Sequence, residues 1–399
     1  MKFSDLSSPA FFENPYPFYE QLRAEGALVP LAPNVVITGH YAVVDALLRD
    51  RRVGKTYMPS VVARYGESGP EQPVFQALSR MFLMMNPPVQ TRLRSLLMTA
   101  FNARQIDLLR DVTQDTADTL IDTFASGAEF DLVSDYALPL PVNVICRLLD
   151  VPAEDGVKLG SAASHFGNAL EAAPMDAAHL AASNEATQTL ERYFKGVVEE
   201  RRTKPGNDLV SALLRAEEAG ESLTDDEIIS NVLLLFVAGH ETTSNMLGNA
   251  LVALHRHPEQ LARLKGDASL LPKAIGECLR YDSSVQMIVR TAFEDIEAAD
   301  HSIARGTMVF MMLGSANRDP AQFEKPDDLD IGRPAPNRML SFGAGIHHCL
   351  GARLATLELE TGLGTLISRL PDLRIANIDA LQWRQRNTLR GVESLKALR

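Results

Sequence analysis

Residues 341–352 read Ser-Phe-Gly-Ala-Gly-Ile-His-His-Cys-Leu-Gly-Ala, and the fold turns on how this stretch is understood. Gly343 and Gly345 permit tight backbone with positive φ and let a flat ligand approach closely. Cys349 follows, at the mouth of an amphipathic segment whose periodicity predicts a helix from about Leu350 to Arg369. Partial positive charge and unbonded N–H groups at a helix entrance favour the thiolate and can hydrogen-bond its sulfur. The default for a lone cysteine is a small buried hydrophobe. Zinc fits poorly: His347, His348 and Cys349 are adjacent, and no further cluster exists to complete a tetrahedron.

Upstream of this stretch, residues 317–345 are rich in Pro, Asp, Asn and Gly without a regular period, which predicts a long loop of the functional kind. Further out, helical periodicity dominates. Helices are expected over Tyr41–Leu48, after Pro87-Pro88, and over Gln105–Ser126, Leu138–Leu149, Ala178–Arg201 and Asp208–Ala219. Thr224 and Glu227 have capping-box spacing ahead of a long apolar helix from about Ile228 to Leu254. Pro258 and Pro272 each open another. Strand patterns are few: a hairpin in Leu28–Thr38, strands at Ile288–Ala292 and Thr307–Leu313, and a pairing of Leu381–Leu389 with Glu393–Leu398. The fold class is mainly α with a smaller β portion. No linker divides the chain, so residues 1–399 are expected to form a single domain.

Composition narrows the function classes. The 399 residues carry 51 acidic against 39 basic side chains, a net charge of −12, which argues against a general nucleic-acid binder. Cys146, Cys278 and Cys349 are odd in number and far apart, so no disulfide framework is expected. The N-terminus lacks a signal-peptide core, and the apolar run Val232–Ala238 is far too short to span a bilayer. A cytoplasmic chain with no membrane attachment is the expectation.

A second constellation, Ala238-Gly-His-Glu241-Thr242-Thr243, lies within the long helix. Threonine can return its hydroxyl to the carbonyl four residues back, and Gly239 lowers helix propensity at the same turn. A local bulge or kink with room for dioxygen and water is expected, with Glu241 able to relay protons. The apolar run before it argues for burial rather than a solvated polar face. A third feature, Glu277-Cys-Leu-Arg280, puts an acid and an arginine on one helix face. Alone, such a pair is usually a surface contact of little worth.

Together these phrases resemble the cytochrome P450 family. FGAGIHHCLG matches its haem-binding signature FGxGxHxCxG, AGHETT its oxygen-activation motif, and Glu277 with Arg280 its ExxR pair. The resemblance runs from NPYPFYEQLR to RGVESL and implies the P450 fold, with haem between a long distal helix and the helix of the proximal cysteine loop. It implies haem b ligated by the Cys349 thiolate, a soft donor that favours O–O cleavage, and O2 as co-substrate. By the same resemblance Thr242 and Glu241 are catalytic. Cofactor contacts are implied from Gln90, Arg94, Ala238, Gly239, Arg290, Phe342, Gly343, His347 and Gly351. Glu277, Arg280 and Arg333 are implied to be structural. Two departures matter: Asn86 and Gln90 stand where DPPxHTRLR has Asp and His, and Met339 stands where many members have His. Gln90 cannot add positive charge, so more propionate anchoring falls to Arg94.

The implied function is insertion of one oxygen atom into a mostly apolar organic substrate, by hydroxylation or epoxidation. Phe82, Leu83, Met84, Leu234, Leu235, Val285, Ile288 and Thr388 are the implied pocket residues. With no flavin or iron–sulfur module in the chain, electrons are expected from a separate ferredoxin and ferredoxin reductase. Arg104, Arg110 and Arg353 are candidates for that docking face, and a monomer is expected. Two rival readings are a peroxide-driven peroxygenase and a non-catalytic haem gas sensor or ligand binder. Neither needs the Glu241-Thr242 pair.

Overall fold

The computed structural model describes residues 2–101, 103–124, 127, 129–218, 223–334 and 338–399. Two compact units emerge: Met1–Gly54 with Thr113–Leu140 and Thr242–Arg399, and Lys55–Val112 with Pro141–Glu241. Helices predominate in both, as the sequence pattern predicts.

The first unit carries the main sheet. Val29–Ala32 and Val35–Thr38 form the expected hairpin, and Val35–Thr38 also pairs in parallel with Met308–Met312. Met287–Ala292 then pairs antiparallel with Met308–Met312, and Val53–Gly54 closes the edge. One face of this sheet buries Val44, Leu47, Val309, Met311, Leu340 and Ala344 in a common core, so the residues just before the Cys349 loop are part of it. A larger core gathers Tyr136, Leu247, Leu251, Leu363 and Leu366 with the helix Leu271–Tyr281. Each fully buried side chain of this kind contributes about 1.5–3 kcal/mol relative to exposure.

One strand pairing differs from expectation. The two C-terminal segments meet only at their near ends, through the Trp383–Val392 bridge and the Glu393 N–H to Gln382 carbonyl and Arg384 N–H to Gly391 carbonyl hydrogen bonds, while Lys396–Leu398 pairs with Glu129–Asp131 and Arg374–Ile375. Asp131 supplies the reason: its carboxylate accepts hydrogen bonds from the Ser394 hydroxyl and the Leu395 N–H, drawing the C-terminus across. The segment expected as one helix over Gln105–Ser126 is two, Ala103–Asp107 and Leu109–Phe124.

In the second unit, the helices Ala153–Gly167 and Ala177–Thr203 pack on each other. Phe194 meets Phe236 edge-on at 5.5 Å between ring centres. The long helix, Asp225–Arg256, starts in this unit and passes into the first between Glu241 and Thr242. Its start is the predicted capping box, with the Glu227 N–H donating to Thr224 Oγ1 at 3.1 Å and the Thr224 N–H to Glu227 Oε2 at 3.0 Å. Nearly every residue from Ile228 to Val237 is buried, as an all-round apolar helix requires. Among the described residues, no helix is long and apolar enough to cross a membrane.

Candidate active site

The cysteine loop lies in the first unit. Gly343 and Gly345 have φ of 65° and 67°, the left-handed region that their sequence context implies. A Cβ at Gly345 would sit 2.1 Å from the Leu48 carbonyl oxygen, so no side chain is tolerated there. By contrast, only the His347 carbonyl lies within 4 Å of where a Gly343 Cβ would be, and nothing does at Gly351. The Cys349 N–H donates to the Phe342 carbonyl at 2.8 Å, closing the loop on itself. The following helix is Ala352–Arg369 with Gly351 as its N-cap, so Cys349 sits two residues ahead of the cap, with its side chain exposed. Cys146 and Cys278 are buried, and burial pushes the Cys146 thiol up to about 11 and the Cys278 thiol higher still. Both are packing residues.

An extended polar network holds this loop. Arg280 donates to both Glu277 oxygens at 2.7 and 2.9 Å, and Arg333 Nε reaches the same carboxylate at 3.0 Å. The remaining Arg280 and Arg333 donors go to backbone carbonyls of residues 317–328. Arg280 is thereby tied to the Asn317 carbonyl, and the Asn317 carboxamide binds the Leu340 N–H and the Ser341 hydroxyl at 2.7 and 3.0 Å. Ser341 in turn donates to the Leu279 carbonyl at 2.6 Å. Asn317 thus clamps both ends of the long irregular loop and delivers Phe342 to the cysteine turn. Sequence reading passes over Asn317, whose only signal is its place at the start of the loop.

Arg290 gives the clearest indication of a bound group in this unit. It lies on the strand Met287–Ala292, is 7% exposed, and its guanidinium donates to the Val289 carbonyl at 2.9 Å. Among the described residues no carboxylate pairs with it, and burial pushes its pKa down to about 10. A buried cation without a counter-anion is costly unless a ligand brings one. A haem propionate fits that requirement. The open space at Gly343 fits a flat macrocycle, and the exposed Cys349 fits a thiolate ligand. The residues present therefore suit haem. Val285 and Ile288 flank the same strand's start, and the Gln286 N–H donates to the Thr388 carbonyl, which brings these three expected pocket residues together.

Across Ala238–Thr243 the long helix remains α-helical, so the expected bulge is not formed. His240 makes a polar back-bond in this turn: its Nδ1–H donates to the Phe236 carbonyl at 2.7 Å. Burial holds the His240 ring below the usual histidine range, as a neutral packed side chain. A Cβ at Gly239 would meet the Ile145 side chain at 3.1 Å, so this glycine serves close helix packing. Glu241 is 9% exposed, Thr243 is 4% exposed, and Thr242 and Ala238 are half-buried.

The remaining expected residues belong to the second unit. Gln90 is buried on the helix Val89–Ala100, and Arg94 is half-buried one turn on. The Asn86 carboxamide grips the neighbouring backbone, accepting from the Lys55 N–H and donating to the Lys55 carbonyl, both at 2.8 Å. An aspartate in its place could accept but not donate. Phe82, Leu83 and Met84 form a short 3₁₀ turn whose Phe82 N–H is held by Asn231 of the long helix at 2.9 Å. Asn231 is not legible in the sequence because its partners, Arg80 and Phe82, are 149–151 residues away. Leu234 and Leu235 are buried in the same unit. Arg110 and Arg353 are exposed, in separate units, and the Arg104 side chain lies outside the described residues.

Residues 164–371 match the family model described as Cytochrome P450. The chain is 55% identical to cytochrome P450 133B1 of Xylella fastidiosa (strain 9a5c), over 99% of this chain and 98% of that one. It is 36% identical to the biotin biosynthesis cytochrome P450 of Bacillus subtilis (strain 168), over 99% and 98%. Among solved structures, P450BioI in complex with a hexadec-9Z-enoic acid ligated acyl carrier protein superposes with a TM-score of 0.91. That match is at 34% identity and covers 98% of this chain and 100% of that one.

Proposed function

The chain belongs to the cytochrome P450 family and is a haem-thiolate monooxygenase, and from that premise we propose which residues carry its reaction and what it acts on. When bound, the haem activates O2 for transfer of one oxygen atom to the substrate. Cys349 would supply the thiolate ligand from a loop that Gly343, Gly345 and the Phe342 carbonyl shape. Arg290 would hold a propionate, and by the family resemblance Arg94 and His347 would share that work, with Gln90 contributing a neutral hydrogen bond. By the family resemblance Phe342, Gly351, Ala238 and Gly239 would be cofactor contacts. Thr242 orients a proton at its hydroxyl, and Glu241, at the edge of burial, exchanges that proton with solvent. Glu277, Arg280 and Arg333 keep the loop in place. The observation that carries this reading is the buried, carboxylate-free Arg290 in the unit that also presents Cys349.

The substrate is a mostly apolar organic molecule with a long acyl chain, oxidised at carbon and presented free or on a carrier. The acyl carrier protein complex of P450BioI and the apolar character of Phe82, Leu83, Met84, Leu234, Leu235, Val285 and Ile288 support that class. Electrons come from a ferredoxin and its reductase, with exposed Arg110 and Arg353 as contributors to docking. Residues 1–399 act as one P450 domain, as a monomer in the cytoplasm.

The test is the carbon-monoxide difference spectrum of the reduced protein, followed by spin-shift screening with long-chain acids. A red-shifted thiolate band is expected, and Cys349→Ala should abolish it together with all turnover. A histidine-type band would overturn the ligand assignment. An apolar acid series that produces no spin shift, free or carrier-bound, would overturn the substrate class.

A further inference from the structure

Glu358 stands on the helix Ala352–Arg369, nine residues beyond Cys349, and is 1% exposed. Among the described residues no cation and no backbone N–H meets its carboxyl, which is rare for a fully buried acid. The polar group facing it is the Thr243 hydroxyl, on the long helix and adjacent to Thr242. One turn further along both helices, Gly362 lies against Leu247, where a Cβ would be 3.6 Å from the Leu247 Cδ2. On its other side the same Cβ would meet the Leu140 side chain at 2.6 Å, and the Tyr136 hydroxyl donates to the Gly362 carbonyl at 2.7 Å. The glycine brings the two helices close, Tyr136 holds the Ala352–Arg369 helix from its other side, and Glu358 stays out of contact with water.

An ionised carboxylate in that setting would be a buried charge with no cation beside it, which is prohibitively costly. Burial accordingly holds the Glu358 acid well above the usual carboxylate range, the Thr243 hydroxyl acting weakly against it. A neutral carboxylic acid carries an O–H donor that a carboxylate lacks. We propose that Glu358 is a positioning residue, whose acid O–H is donated to the Thr243 hydroxyl and so sets the helical turn that presents Thr242. The inference rests on the monooxygenase reading only for the use made of Thr242.

Infrared difference spectroscopy of the haem-loaded protein at pH 7 tests the first half. Wild type minus Glu358→Gln should contain the carbonyl stretch of a protonated carboxylic acid; its absence overturns the proposal whatever the enzyme's activity. The second half is read in stopped flow, without substrate, as the lifetime of the reduced, oxygenated protein. Glu358→Gln, whose amide N–H still donates, should stay close to wild type. Glu358→Leu and Thr243→Val should each shorten the lifetime about fivefold, roughly the rate equivalent of one lost hydrogen bond. The double variant should be no worse than either single one, because the two residues act as a unit. A Leu variant with the wild-type lifetime, or a Gln variant as impaired as Leu, overturns the positioning role. Should Glu358→Leu fail to hold haem, Thr243→Val carries the same comparison. A wild type lacking the thiolate carbon-monoxide band would overturn the monooxygenase reading and leave the infrared result standing.

Discussion

Two glutamates of the first unit, Glu277 and Glu358, are each 1% exposed and each lie on a helix that packs into the same core. Their surroundings are opposite. Glu277 receives two guanidinium groups and the Asp330 N–H, so its charge is fully met. Glu358 faces a threonine hydroxyl and apolar side chains. The lesson is that burial alone does not decide what a carboxyl does. With cations it becomes a charged structural anchor; without them it is held as a neutral acid, a donor rather than an acceptor.

Breaking the anchor should have the largest effect. Glu277→Ala leaves Arg280 buried without its counter-charge, and urea unfolding should show a loss of about 3–5 kcal/mol. Loss of haem retention should accompany it, because the Arg280–Asn317–Ser341 chain of hydrogen bonds holds the cysteine loop. An unchanged midpoint would mean that the network is incidental.

At Glu358 the contrast is read through pH. The folded pKa lies above the unfolded value near 4.5, so the folded state keeps a proton that the unfolded state loses as pH rises. Stability at this site is greatest below the ordinary carboxylate range and declines upward through it, by about 1.4 kcal/mol per pH unit. Glu358→Gln should remove that slope, and the variant should therefore be the more stable protein at pH 8. Parallel curves for wild type and variant would mean that Glu358 is ionised, and the comparison with Glu277 would collapse.

Arg333 sharpens the picture from the other side. It is the partly exposed member of the triad, with backbone carbonyls as its other acceptors. Arg333→Ala should cost about 1.5–3 kcal/mol, the range for hydrogen bonds to a charged group, and less than Glu277→Ala in the same assay. The smallest effect belongs to His240. Burial depresses its pKa, so below the ordinary value near 6.5 only the unfolded chain takes up the proton. Stability should fall by about 0.8 kcal/mol at pH 6 from this residue, and His240→Gln should flatten that acid limb.

Much of the site was legible because its chemistry is local. Glycines around a cysteine, an acid beside a threonine, and an acid and arginine three apart are all patterns within one turn or loop. The capping box at Thr224 and Glu227, with both of its bonds formed, was legible for the same reason. What escaped depends on distant partners. Asn317 works by joining Arg280 to Ser341, Asn231 by holding Phe82, and Asn86 by gripping Lys55. The C-terminal strand found its partner through the Asp131 side chain rather than through the alternation of its own residues. The regular helix at Ala238–Thr243 likewise reflects packing, with Ile145 against Gly239 and the His240 back-bond to Phe236.

The amino-acid sequence by itself determined the family, the helical class and the identity of the thiol, because those follow from residue type and spacing along a continuous stretch. Only the tertiary structure decided which buried acid is an anchor and which is a neutral donor, and which arginine waits for an anion. Those roles depend on which charges the fold brings to within a few ångströms, and electrostatic free energy in a low-dielectric interior is set by that distance.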